Sequence, residues 1–253
     1  MDIQKNAEMV LDKVLNKGAV GDLIIDESES LSLSARDGQL EEYKISSSQV
    51  FGLRVIKDNK VGTAYSEASD GEALAAMVDQ AFTNAGFATE DEHEAIIDNR
   101  EELSTDDDFF CPNDESTVEQ KIDTILGLEA SLLNKNKIKN VPYNGIQSGK
   151  GSRQIYSTAG LFARSSAKSN SCYAYALMEE GEMNVMEGCG QAGRMFSEID
   201  ATAIATEVYH RCEEILEGKP VESKRYDVIF DSECQPDLFG VFASMFSGKS
   251  AKD

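Results

Sequence analysis

Tryptophan is absent from the 253 residues, histidine occurs only twice and proline four times. Five cysteines (Cys111, Cys172, Cys189, Cys212 and Cys234) are an odd number, and no two stand in CxxC spacing. Neither a zinc knuckle nor a disulfide framework is indicated. His93-Glu94 begins a zinc-helix pattern, but Ile97 and Asp98 stand where a second histidine would be needed. The other histidine, His210, lies beside Glu207, Arg211 and Glu214 and reads as a surface or boundary residue. Long hydrophobic runs are missing too. The longest apolar stretch, Leu238 to Phe246, has 9 residues, against the ~20 that span a bilayer. The opening Met1-Asp2-Ile3-Gln4-Lys5 is polar rather than basic and then apolar, so the cytoplasm is the expected compartment. Bases are scarce: 24 against 46 acids, a net charge of −22. Such a chain repels phosphate backbones, which excludes general nucleic-acid binding and disfavours anionic membranes.

What remains is still enough to fold: 41% of the residues are hydrophobic. Ile3, Ala7, Val10, Leu11 and Val14 recur at helical spacing, and Lys17-Gly18 is a stop. Leu31, Leu33 and Ala35 alternate with serines up to Asp37-Gly38, a hairpin turn. Two more strands flank the turn at Lys57 to Lys60, and a covering helix follows from about Asp70 to Phe87. The next 29 residues, Thr89 to Thr117, carry 12 acids and one base, which reads as an acidic linker or exposed segment. Thr117-Val118-Glu119-Gln120 is a capping box opening a helix. Val141 to Phe196 is rich in glycine, serine, tyrosine and alternating apolar residues, expected as long antiparallel strands. A helix over Asp200 to Glu217, a short buried strand at Tyr226 to Phe230 and a helix from Pro236 to Phe246 complete the expectation. The fold class is α+β, antiparallel sheets covered by helices, with lobes over 1–88 and 118–253 joined by 89–117.

Three local patterns suggest chemistry that their context does not sustain. Gly188-Cys189-Gly190-Gln191-Ala192-Gly193 spells GxGxxG, but it follows an antiparallel segment and no helix starts promptly after it. Gly248-Lys249-Ser250 approximates a phosphate loop, but Ala243 to Phe246 before it continues an apolar helical stripe. The acidic tract lacks the regular alternation and turn glycine of a calcium loop.

Arg225-Tyr226-Asp227-Val228-Ile229-Phe230-Asp231, then Leu238 to Phe242 and Ser247-Gly248, resemble the TldD/PmbA family, formerly called modulators of DNA gyrase. The paired strands at Leu31 to Tyr65, with Ser34, Arg36, Gly38, Leu40 and Glu41, are similar to that family as well. The resemblance stops at Asp253, inside the family's central region, so the chain is expected to correspond to an N-terminal half. It implies a peptide-cleaving assembly in which TldD-type subunits carry zinc on an HExxxH helix. PmbA-type (TldE) subunits lack that helix.

The same resemblance places the metal helix over Pro236 to Phe246, with Gly240, Val241 and Met245 at the His, Glu and His positions. None of these can ligate zinc or act as a general base. The resemblance therefore implies a PmbA/TldE-like subunit with no cofactor of its own and no catalytic residue. Its implied partners are a TldD-like subunit or a second copy, and an unfolded peptide. Long strands with glycine- and serine-rich edges hold extended peptides by backbone pairing. The residues expected to do so are Tyr156, Ser157 and Thr158, with Ser171, Tyr173 and Tyr175, unless these merely build sheet and core. A non-enzymatic peptide-binding or assembly module is the alternative.

Overall fold

The computed structural model describes residues 3–97, 102–248 and 250. They form two units, 1–217 and 218–253.

The first unit is built on one largely antiparallel sheet rather than two. β1 (Val20–Arg36) and β2 (Gln39–Lys57) are single strands of 17 and 19 residues, joined at Asp37-Gly38, where both φ angles are positive. That is the backbone a tight hairpin turn requires. Asp58 and Asn59, also at positive φ, turn the chain into β3 (Lys60–Ser66). The serine-rich middles, Ser28 to Ser34 and Ser46 to Ser48, continue the ladder without a break, because hydroxyl side chains are tolerated on both faces of a strand. β4 (Glu102–Ser104), β5 (Ile138–Ser157), β6 (Phe162–Glu180) and β7 (Met183–Gly193) complete the sheet. The order is β3-β2-β1-β5-β6, with β4 and β7 both pairing β6. The end of the acidic tract is therefore docked as well as exposed. β4 pairs in parallel with β6, and Lys168 Nζ donates to Pro112 O at 2.7 Å.

Helices cover one face at both ends of the long strands. α1 (Ile3–Asn16) and α2 (Gly71–Phe87) bring Ala7, Val10, Val14, Leu74, Met77 and Val78 against Leu23, Ile25, Phe51 and Leu53. Asp70 caps α2 by accepting from the Glu72 and Ala73 amides. After the short α3 (Asp107–Phe110), α4 (Val118–Leu133) and α5 (Ala201–Glu217) bury Ile125, Leu128, Leu132, Ile204 and Val208 against Leu33, Ile146, Ala174 and Met178. The Thr117–Gln120 capping box is formed, with bonds of 3.2 and 2.8 Å. Each fully buried leucine or isoleucine contributes about 1.5–3 kcal/mol, so the two clusters dominate the unit's stability. The odd-numbered residues of β1 face both helix pairs, and the even-numbered ones form an opposite, helix-free face.

In the second unit the structure departs from the sequence expectation. Tyr226 to Phe230 forms no strand, and Ile229 is 96% exposed. A strand needs a ladder partner, and the described residues of this unit supply none. The expected helix over Pro236 to Phe246 is split into α6 (Cys234–Gly240) and a 3₁₀ turn at Ala243–Phe246, with no buried residue in either.

Candidate functional site

The six residues singled out in the sequence fall at two places. Tyr156 pairs with Phe162 near one end of β6, whereas Ser171 is nine residues further along. At ~3.3 Å per residue the two groups are ~30 Å apart. The first three are occupied with folding. Tyr156 packs partly against the core under α1 and α2, and its ring lies 4.9 Å from Phe162. Ser157 is buried, and its Oγ accepts from the Leu161 amide at 3.1 Å, closing the β5–β6 turn. Thr158 Oγ1 accepts from the Gly21 amide at 3.0 Å, tying that turn to β1.

Ser171, Tyr173 and Tyr175 stand together on the helix-free face. Tyr143 lies across from Tyr175 on β5, with ring centroids 6.4 Å apart and edge-on. Tyr143 and Tyr175 are 59% and 42% exposed. The rings lie down on glycines: a Cβ on Gly145 would sit 2.8 Å from Tyr173 Cε1, and one on Gly190 2.9 Å from Tyr173 Cβ. Gly188 is covered in the same way by the Tyr175 ring. The GxGxxG run is thus the body of β7, antiparallel to β6, with Gly188 seating the Tyr175 ring, Gly190 against the base of Tyr173 and Gly193 against the Glu198 side chain.

Backbone pairing with a peptide cannot occur at the segments expected from the sequence. Ser171 to Tyr175 is already paired by β5 on one side and β7 on the other, and Tyr156 and Ser157 lie between neighbouring strands. The edge beside these segments belongs to β7, where Arg211 Nη1 on α5 donates to Gly188 O at 3.3 Å; the other end of the sheet is β3. Among the described residues no strand pairs with the outer side of β7. Its 11 residues run beside the tyrosine patch. Alternation alone could not reveal this edge, because it depends on which strand ends the sheet.

A buried polar cluster also escaped the sequence reading. Lys121 on α4 is 8% exposed, and its Nζ donates to Asn170 Oδ1 at 3.3 Å and lies 5.3 Å from the Phe196 ring. Asn170 Nδ2 donates to Asp114 Oδ2 at 3.1 Å, which also accepts from the Phe196 amide at 3.2 Å. Burial pulls the Lys121 ammonium below its ordinary pKa, and the charge of Asp114 only partly opposes this. Burial also pushes the Asp114 carboxyl up, but hydrogen bonds from Ser116 and Phe196 and the charge of Lys121 leave it below the usual range. A carboxyl held low in the fold stabilises above its unfolded pKa, and that stabilisation disappears as pH falls through the folded value. Urea titrations should therefore show a stability gap between wild type and Asp114→Asn that narrows from about pH 5 toward pH 2. A gap that widened on acidification would contradict this assignment.

The thiols are equally specific. Cys172, wholly buried under α4 and α5, is pushed up to about 12 by burial, and Cys212 is also raised by burial. A thiolate-directed reagent should leave both unmodified in the folded chain and reach them only after unfolding, while Cys234, whose thiol Asp231 also raises, is exposed and stays open to it. Mass spectrometry of the modified peptides reads this directly.

The described residues do not assemble a zinc site. His93 and His210 are exposed, with Glu92 at 4.0 Å and Glu213 at 3.7 Å as their carboxylate neighbours. Among the described residues no three His, Cys, Asp or Glu side chains converge. Gly240, Val241 and Met245 offer hydrogen, isopropyl and thioether groups along an exposed segment. Lys249 of the phosphate-loop-like run lies outside the described residues. Among the described residues no helix is long and apolar enough to cross a membrane.

Residues 21–85 match the family model described as PmbA/TldA metallopeptidase domain 1, and residues 111–214 match the PmbA/TldA metallopeptidase central domain. Together the matches cover more than half of the chain. The metalloprotease PmbA of Escherichia coli O157:H7 is 21% identical, over 98% of this chain and 56% of its own length. A protein assigned as a modulator of DNA gyrase from Bacteroides thetaiotaomicron superposes with a TM-score of 0.81 at 16% identity. That match covers 98% of this chain and 57% of the other. TldE from Thermococcus kodakarensis gives 0.70 at 14% identity, over 82% and 47%. The chain thus spans about half the length of these relatives, and the structural likenesses establish the fold.

Proposed function

The chain belongs to the TldD/PmbA metallopeptidase family, and we propose that within it this chain is a PmbA/TldE-like subunit that holds peptide without cleaving it. The reading assigns it to a cytoplasmic peptide-processing metalloprotease whose zinc sits in an HExxxH-bearing partner. What supports it is the family match together with Gly240, Val241 and Met245, side chains without a zinc donor, at the positions where the resemblance puts the metal helix. What this chain supplies is an edge. An extended peptide adds to β7 as a further strand through main-chain hydrogen bonds, which accept any sequence. Tyr173 and Tyr175 beside that edge give the peptide's side chains an apolar surface with polar tips.

An unfolded, fluorescently labelled peptide should bind this chain in an anisotropy titration. Gly190→Pro removes an edge amide and places a ring against Tyr173, so it should weaken binding at least tenfold. Tyr143→Ala, which leaves the ladder intact, should weaken it less. Equal affinity for wild type and Gly190→Pro would remove β7 from the mechanism.

A further inference from the structure

The ladder fixes which backbone groups of β7 face outward. Arg164 O on β6 accepts from the Thr105 amide, on the side away from β5. In an antiparallel ladder the N–H and C=O of one residue point to the same neighbour, and successive residues alternate. The even-numbered residues of β6 therefore turn toward β7. The register from Asn170↔Gly193 to Glu180↔Met183 has no shift, so odd-numbered residues of β7 meet them and even-numbered ones face out. Gly188, in the middle of β7, thus offers its carbonyl to the unpaired side, and α5 fills it. Arg211 Nη1 donates to Gly188 O at 3.3 Å, while Arg211 Nε donates to Glu207 Oε1, one helical turn back, at 2.7 Å. The contact to Gly188 is the longer of the two and lies beyond the usual range for N–H···O. It is the one that an incoming amide replaces.

We propose, resting on the reading that β7 holds peptide, that Arg211 determines the specificity of this edge. A peptide strand takes Gly188 O only by displacing the guanidinium, and a peptide carboxylate is what receives it. Main-chain pairing accepts any sequence, so discrimination must come from a group that pairing disturbs. A neutral peptide exchanges one donor for another on the same oxygen and leaves Arg211 short of an acceptor. A carboxylate, from an acidic side chain or from the peptide's own C-terminus, gives the displaced guanidinium a charge-assisted partner that can be bidentate. The side chains of an added strand alternate between the two faces. Those on the helix side come beside Arg211, and those on the other side lie over Tyr173 and Tyr175. The net charge of −22 repels acidic peptides as a class. What Arg211 selects is therefore a single carboxylate in register, not a run of them.

The test titrates the full chain with three labelled peptides of alanine, serine and valine, read by anisotropy at about 0.15 M salt, where long-range repulsion is largely screened. One has blocked ends, one a free C-terminal carboxylate and one a single internal glutamate. Wild type should prefer a carboxylate-bearing probe to the blocked one, and the probe that carries the preference separates C-terminus from side chain. Arg211→Met keeps the stem and the helix, and should bind the blocked probe about three- to tenfold more tightly, because the competitor for Gly188 O is gone. The same change should cut the preference for a carboxylate by about tenfold. Lys44→Met removes an equal charge from an exposed position on β2, with three strands between it and β7, and should alter neither value. Thermal melts check folding, and if Arg211→Met unfolds, Arg211→Gln should show the same two changes. A carboxylate preference that survives loss of Arg211, or a blocked probe bound no more tightly without it, overturns the proposal. If Gly190→Pro still weakens every probe in that case, β7 remains the peptide edge. Failure of all three probes to bind would instead remove the peptide-holding reading, and this proposal with it.

Discussion

Replacing Gly62 by alanine is expected to lower the melting temperature of the chain by about 6–12 °C, a loss of about 3 kcal/mol or more. Gly62 lies on β3 where α2 crosses it. A Cβ there would collide with Ala81 O, and would lie 2.5 Å from Ala85 N and 2.8 Å from Ala85 Cβ. The first two obstacles are helix backbone, so no rotamer change relieves them. α2 would have to lift, opening the core formed by Leu74, Met77 and Val78. Gly127, exposed on α4 with nothing within 4 Å of a Cβ, is the matched control. There alanine should stabilise by about 0.5–1 kcal/mol, because it reduces the freedom of the unfolded chain. Thermal melts followed by circular dichroism separate the two, and equal effects at both positions would show that α2 does not press on β3.

Asn144 carries the second large effect. It is buried, and its side chain acts as a piece of strand. Oδ1 accepts from the Ala35 amide and Nδ2 donates to the Ala35 carbonyl, both at 2.8 Å. Backbone pairing between β1 and β5 ends at Leu33 and Ile146, and the β1–β2 register shifts at Ser34/Ala35. The amide side chain bridges the gap where those strands diverge. Asn144→Ala strands a buried N–H and a buried C=O together, with an expected loss of about 2–4 kcal/mol in urea unfolding. Asn144→Asp keeps the acceptor but turns oxygen toward oxygen, and should be at least as damaging. A change below about 0.5 kcal/mol in either variant would mean that water replaces the side chain.

Such features explain what could be read from the sequence. Helix existence was legible because α1, α2, α4 and α5 each carry an apolar stripe, and Asp70 and Thr117 announce their starts with short-range hydrogen bonds. The turns at Asp37-Gly38 and Asp58-Asn59 were legible because tight hairpins demand residues that tolerate positive φ. The serine-rich strand middles carried no periodic signal, and without them β1 could not be seen to run through both lobes. Tyr226 to Phe230 has the composition of a strand and forms none, because pairing depends on a neighbour and not on composition. The tyrosines at 173 and 175 were found by alternation, but the role of Gly145, Gly188 and Gly190 beneath them follows from register. Lys121 escaped because a lysine at helical spacing reads as surface until Asp114 and Asn170 are brought to it.

The most direct measurement asks where hydrolysis resides. The purified chain, an HExxxH-bearing family subunit and their mixture would each be assayed for zinc by elemental analysis and for cleavage of an unfolded peptide. The chain alone should hold substoichiometric zinc and leave the peptide intact, and the mixture should cleave it with all zinc in the partner. Stoichiometric zinc in the chain alone, with cleavage abolished by a chelator, would contradict the account.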